Sequence, residues 1–241
     1  MTSKRFLIVN ADDLGQSDGI NRGIFAAYET GIVTSASLMV RWPAAVDAAS
    51  YSRKERRLSV GLHFDLGEWV YRDETWEPLY EVVPPDDVSA VTQEISRQLG
   101  AFRDLVGRDP AHIDSHQHVH RSEPVRSLLT ELASDLGVPL RDYSPLIRYS
   151  GRFYGQSGKG VPIPEAISSA ALITILKELP EGITELGCHP GLDCDLDSPY
   201  LKEREQEVRV LCDPDIRETL AAEAIELCSF GDEVLFQPGT L

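Results

Sequence analysis

The chain has 241 residues and sets 39 acidic side chains against 23 basic ones, for a formal net charge of -16. Such a length buries a full core without disulfide or metal staples, and 42% hydrophobic with 26% charged residues is ordinary globular composition that argues against disorder. The acidic excess argues against a nucleic-acid or anionic-membrane partner, whose phosphates would be repelled. No apolar run approaches the ~18 residues of a spanning helix, and Phe6 to Val9 is too short for a signal-peptide core, so a cytoplasmic protein is expected.

In chain order, an apolar strand over Phe6 to Asn10 feeds the polar cluster Ala11-Asp12-Asp13-Leu14-Gly15. Ile20, Ile24 and Ala27 predict a helix over Gly19 to Glu29; Val33 to Val40 reads as a strand, Ala44 to Ser52 as a helix and Leu58 to Leu66 as a strand. Residues 67–86 read as irregular, with Trp69, Tyr71, Trp76 and Tyr80 as an aromatic platform for a sugar ring or a lid packed on itself. Val88, Val91, Ile95, Leu99, Phe102 and Val106 give Asp87 to Val106 the period of a long helix, and Ala111 to His116 is a strand.

Ser122 is expected to cap a helix running to Leu136, and Val138 to Asp142 reads as a short strand. Residues 143–163 lack periodicity and read as a long loop. A helix over Pro164 to Leu179, a strand over Ile183 to Cys188, helices near 199–212 and 214–228, and a last strand over Gly231 to Phe236 complete the pattern. The charged side chains of the 199–212 helix read as a solvated face. Strands separated by helices predict a parallel sheet with right-handed crossovers. About seven such units fit one α/β domain over 1–241, a (β/α) barrel either complete or incomplete, with an open doubly wound sheet as the alternative. Cys188, Cys194, Cys212 and Cys228 form no C-x-x-C pair and read as reduced core residues.

The chemistry concentrates in a few short segments. All six histidines fall in Gly61-Leu62-His63, in His112-Ile113-Asp114-Ser115-His116-Gln117-His118-Val119-His120, and in Cys188-His189-Pro190-Gly191. Each segment, like Asp12-Asp13, lies at or just after the C-terminal end of a predicted strand, and a parallel barrel gathers those ends on its catalytic face. On an extended strand the run from His112 to His120 would span roughly 26 Å. One ion can therefore take one or two of its side chains, with Asp13 and His63 as the natural further suppliers. Two imidazoles and a carboxylate describe a catalytic metal site with open positions. Zinc suits such donors first, and Mn, Ni or Mg remain admissible. Taken alone, Asp12-Asp13 would read as a turn or cap and His63 as a satisfied core histidine. Four histidines within nine residues make a merely solvated strand end hard to sustain.

The segments Ile8-Val9-Asn10-Ala11-Asp12-Asp13-Leu14-Gly15, Gly31-Ile32-Val33-Thr34-Ser35-Ala36, Gly61-Leu62-His63, His112 to His120 and Cys188-His189-Pro190 come in an order that resembles the YdjC-like carbohydrate deacetylase family along nearly the whole chain. Phe153-Tyr154-Gly155 adds a lesser likeness. The resemblance implies a (β/α)-barrel-like fold, a homodimer, and one divalent metal ion held by Asp13, His63 and His116. The implied reaction is metal-dependent hydrolysis of an N-acetyl group on an amino sugar or oligosaccharide, releasing acetate. Asp12 is then the candidate base and His189 the candidate acid for the departing amine. Asp114, His118, His120, Tyr154, Trp69 and Trp76 are expected to support the ligands or touch substrate. The sequence departs from chitooligosaccharide deacetylases after His63 and in the 143–160 loop, which bears on substrate more than on reaction. The competing readings are a metal-dependent phosphoesterase or lyase on a small sugar, which lacks a basic cluster beyond Arg121, and a non-catalytic metal-dependent sugar-binding module.

Overall fold

The computed structural model describes residues 4–193, 196, 198 and 200–232. Strand β1 (Arg5–Leu14) leads into helix α1 (Asp18–Glu29), whose first turn is capped by Ser17 accepting from the Ile20 amide. Then follow β2 (Ser35–Leu38), α2 (Ala45–Lys54), β3 (Ser59–Phe64), β4 (Gly67–Arg72), β5 (Thr75–Glu81), α3 (Val88–Val106) and β6 (Ile113–Ser115). After a 3-10 segment over His116–Arg121 come α4 (Val125–Leu136), β7 (Ile147–Ser150), α5 (Ser169–Lys177), β8 (Gly182–Cys188), α6 (Lys202–Leu211), α7 (Pro214–Ala222) and β9 (Ile225–Cys228).

The main sheet runs β6-β3-β2-β1-β8-β7 with every pairing parallel, and β9 lies along the first half of β1. It is curled into a partial barrel surrounded by helices. The curl can be read from one side chain. Strands β6 and β8 are four places apart, about 19 Å if the sheet were flat, yet the Arg141 guanidinium is 2.7 Å from both Asp114 on β6 and Glu185 on β8.

The strand alternation sorts β1 into two faces. Leu7, Val9 and Ala11 face outward and pack with Ile20 and Ile24 of α1 in the core between sheet and helices. Phe6 and Ile8 face the barrel interior with Ile147, Ile183, Cys228 and Phe230. Asn10 and Asp12 continue that inner face toward the C-terminal end, so the interior changes from apolar to polar along one strand.

Several expected elements differ. Residues 67–86 are not irregular: β4 and β5 form an antiparallel hairpin turned at Asp73-Glu74, both with positive φ (46° and 65°), the geometry of a tight two-residue hairpin turn. The 143–163 loop contains β7, which finds its partner only in distant β8. The expected strand 138–142 is a single bridge between Leu140 and Ile113. Ser122 does not cap α4; Pro124 holds that position. The helix expected over 164–179 breaks at Ser168, whose hydroxyl caps α5. The last expected helix ends at Ala222, and β9 follows because Ile225 and Cys228 find buried places beside β1. From residue 233 on, the expected strand 231–236 lies outside the described residues, as does Cys194. Among the described residues no helix is long and apolar enough to cross a membrane.

Candidate active site

Asp12 and Asp13 lie within β1, near its C-terminal end, rather than beyond it. Asp13 takes a left-handed conformation (φ 67°) where the pairing with β2 shifts register, so two adjacent acids both reach the same end of the barrel. Strain of this kind in a non-glycine residue is typical of functional positions. The His112 to His120 run does not extend as a strand. Pairing stops at Ser115, and Gln117 and His118 both adopt positive φ (48° and 54°), folding the chain back on itself.

Asp13, His63 and His116 each bring one ligand atom to a common point, all within 4.8 Å of one another. His63 Nε2 lies 3.3 Å and His116 Nδ1 3.0 Å from Asp13 Oδ1. The far nitrogen of His63 is 2.7 Å from Asp114 Oδ1, which fixes the ring in the manner usual for metal-ligating histidines. The far nitrogen of His116 is buried without a hydrogen-bond partner and faces Glu68 Oε2 at 3.7 Å. The donor set and the shared focus suit a divalent ion. Arg204 Nη2 donates to Asp13 Oδ2 at 2.6 Å, so only Oδ1 of that carboxylate faces the imidazoles.

Asp12 is held by a fork: Arg141 Nη1 and Nη2 donate to its two oxygens at 2.7 Å each, and Asn10 Nδ2 donates to Oδ1 at 2.9 Å. The Arg141 guanidinium also pairs Asp114 and Glu185, and it lies over the Tyr149 ring at 4.7 Å. Three buried carboxylates thus share one buried cation. His189 Nε2 is 3.8 Å from Asp12 Oδ2. The His189 amide donates to Glu207, which also accepts from the Tyr200 hydroxyl.

These contacts set the charges. Burial works to raise both aspartates, but Arg141 overrides it at Asp12, and Arg204 and His116 override it at Asp13, leaving both ionised. Burial opposes charge on His63, yet Asp114 and Asp13 raise it to about 9. Desolvation of His189, helped by the nearby Arg204 and Arg141, outweighs the pull of Asp12 and Asp13 and lowers it to about 4, so it is a neutral imidazole at physiological pH.

A cavity of about 800 Å³ opens over these groups, lined among others by Trp69, Trp76, His118, Tyr149 and Tyr154. Trp69 is half-buried and its backbone is bridged to the hairpin's neighbour by Gln117, while Trp76 is 56% exposed. Tyr154 stacks on Tyr200 (4.7 Å, 3°) and edges His189. His120 does not reach the cavity. It is buried, with Nδ1 against Ser115 and Nε2 3.4 Å from Asp142. His118, His120 and Asp142 also form a cluster of ligand atoms, but Arg121 already pairs Asp142 at 2.7 Å, and a dication there would sit beside a guanidinium. His112 is an interior group, bonded to Ser37 and stacked on Phe230.

Sequence reading passed over Arg141, Arg204, Glu68, Glu185 and Glu207. The 199–212 helix is not simply a solvated face: Glu203, Arg204 and Glu207 are buried, and only Lys202, Glu205 and Arg209 are exposed. The spacing 203, 204, 207 is a helical stripe that could have been singled out. Arg141 lies near the C-terminal end of the strand predicted over Val138 to Asp142, the same signal that marked the histidines. Glu68 carried no signal, since its segment read as irregular.

The fold and the site together define a (β/α)-barrel protein with a metal-capable Asp-His-His focus at the carboxyl ends of its strands. Among solved structures the chain superposes on a protein from Enterococcus faecalis V583, provisionally named for cellobiose-phosphate cleavage, with a TM-score of 0.75 at 24% identity over 95% of this chain and 98% of that one. It superposes on a family 4 carbohydrate esterase from Streptomyces lividans with a TM-score of 0.56 at 15% identity over 95% and 93%. The profile of the YdjC-like proteins matches residues 6–222, and the chain belongs to that family. It is 32% identical to a chitooligosaccharide deacetylase of Serratia marcescens, over 95% of this chain and 99% of that protein. It is 31% identical to a carbohydrate deacetylase of Geobacillus stearothermophilus, over 94% and 97%.

Proposed function

We propose that this protein is a metal-dependent N-deacetylase that hydrolyses the acetamide of an acetylated amino sugar or short oligosaccharide in the cytoplasm. The observation that carries the reading is the focus of Asp13, His63 and His116 beside a separately anchored carboxylate, Asp12, on the wall of a cavity large enough for a sugar. The relatives named as carbohydrate and chitooligosaccharide deacetylases support it.

A divalent ion held by Asp13, His63 and His116, with zinc preferred by the imidazole donors and Mg or another divalent ion admissible, would supply Lewis acidity and make water acidic enough to attack at neutral pH. Asp12, anionic and aimed by the Arg141 fork, accepts the proton of that water. His189, 3.8 Å from Asp12, is neutral at rest, so it becomes an acid by taking that proton on. The amide C–N bond breaks as His189 delivers the proton to the departing nitrogen, which leaves acetate and a free amine and returns both side chains to their starting state. Tyr154 and the hairpin tryptophans offer flat faces to sugar rings, and His118 and Tyr149 line the same wall.

Acetate release from N-acetylglucosamine oligomers, with and without a chelator, tests the reading. Release should stop when the ion is removed and return when it is restored. His116→Ala and Asp13→Asn should lose both bound metal and turnover. Acetate release that persists in fully metal-free protein would refute the proposal, and sugar binding without release would favour a binding module.

A further inference from the structure

A second cavity, of about 590 Å³, lies at the opposite end of the strands from the site described above. Its wall is formed where β2 and β3 begin, where the chain enters β6, and by the turn after β9; Arg56, Arg57, Arg108 and Ser59 line it. Three guanidiniums therefore gather in a chain whose net charge is -16.

Two acids line the same cavity. Asp109 is taken by Arg103 at 2.6 Å, and Asp232, held by the amide and hydroxyl of Ser229 at 2.7 and 3.1 Å, keeps its charge, so the three guanidiniums remain in excess over it. Among the described residues, none of Arg56, Arg57 and Arg108 has an ion pair, side-chain hydrogen bond or ring contact. Arg108 is half-buried, and burial together with the positive charge of Arg56 disfavours its charged form, a cost the chain leaves uncompensated.

A separate observation points the same way. Ser59 is 6% exposed, and its Oγ is buried without a hydrogen-bond partner. A buried hydroxyl left unsatisfied keeps its desolvation cost with nothing to offset it. The guanidinium forks of the exposed Arg56 and Arg57 and the half-buried Arg108 offer more donors than a carboxylate's two oxygens can take, and they match a tetrahedral dianion, with the unsatisfied Ser59 hydroxyl in the wall behind them.

We propose that the cavity lined by Arg56, Arg57, Arg108 and Ser59 is a binding site for a phosphate group, either inorganic phosphate or the phosphate of a small monoester. It is separate from the candidate active site and independent of the deacetylase reading.

Calorimetric titration of the full chain with inorganic phosphate and with glycerol 3-phosphate, at fixed ionic strength, tests this and tells the two sources apart. One saturable site per chain is expected. Arg56→Gln/Arg108→Gln should weaken it at least about tenfold, as the loss of two charge-assisted contacts requires, with Ser59→Ala weakening it less. Arg121→Gln, which alters the cavity at the other end, should leave it unchanged. Should the double variant fail to fold, Arg57→Gln makes the same comparison. The absence of saturable binding to the wild-type chain overturns the proposal. So does binding that persists unweakened in the arginine variants, or binding that is lost in Arg121→Gln instead.

Discussion

Arg141 is the residue on which the polar interior turns. It holds Asp12, Asp114 and Glu185 at 2.7–2.8 Å, and all four side chains are buried. Removing a buried charge while its partners remain leaves uncompensated carboxylates, a change that typically costs about 3–5 kcal/mol. Arg141→Met should therefore lower stability to urea by that amount and abolish activity by freeing Asp12, whereas Arg141→Lys should fold better and still lack the two-pronged grip on Asp12. Glu68 invites a finer test. Its carboxylate faces the otherwise unpartnered nitrogen of His116, much as Asp114 faces His63. Carboxylates in that position commonly contribute about 10–100-fold to metal affinity. Glu68→Gln should weaken zinc binding by such a factor in chelator competition, with the fold intact.

At the scale of elements, the β4–β5 hairpin forms one side of the cavity wall. It carries Glu68 into the site and Trp69, Tyr71 and Trp76 along its flank. Trp76 is exposed and edges Tyr71 at 5.6 Å, while Trp69 packs against the smaller core that contains Phe64 and Leu66. If the hairpin is a sugar platform, Trp76→Ala should raise KM for an oligosaccharide and leave kcat and melting temperature almost unchanged. Trp69→Ala should raise KM and also lower stability. Unchanged kinetics in Trp76→Ala would remove the platform. The alternation that makes this hairpin was present in the sequence, but its aromatic and acidic residues masked it. Strand β7 was hidden for a different reason: four residues gain strand character only from pairing with β8, 36 positions away. By contrast α1, α3, β3 and β8 were legible, because long apolar periods and short apolar runs bounded by turns report burial directly.

Over the whole molecule, the metal-capable focus couples protonation to folding and to ion binding. Without an ion, two imidazoles crowd one carboxylate oxygen at 3.0 and 3.3 Å, an arrangement that protons stabilise. His63 is raised to about 9 against an ordinary 6.5. A basic group raised on folding stabilises the native state below its unfolded pKa and loses that contribution as pH climbs through the folded one. The stability of the metal-free protein should thus fall between about pH 6.5 and 9 on account of His63, and His63→Gln should flatten that decline. An ion must displace these protons, so its affinity should rise with pH over the same window. Titrations in buffers of different ionisation enthalpy should register proton release near pH 7.

The sequence by itself determined the alternation that makes a parallel sheet and helices, and it marked the strand ends where Asp12, Asp13, His63, His116 and His189 would gather. Those are properties of local order, written in hydrophobic period and in the clustering of rare side chains. Only the tertiary structure decided which charges are buried together. A strand end and a helical stripe mark where Arg141 and Arg204 stand, but nothing in the chain order says that they are interior groups; they become so because carboxylates from β1, β6 and β8 meet them there. The free energy of burying a charge depends on its partner rather than on its neighbours in sequence, and the partner is chosen when the sheet curls.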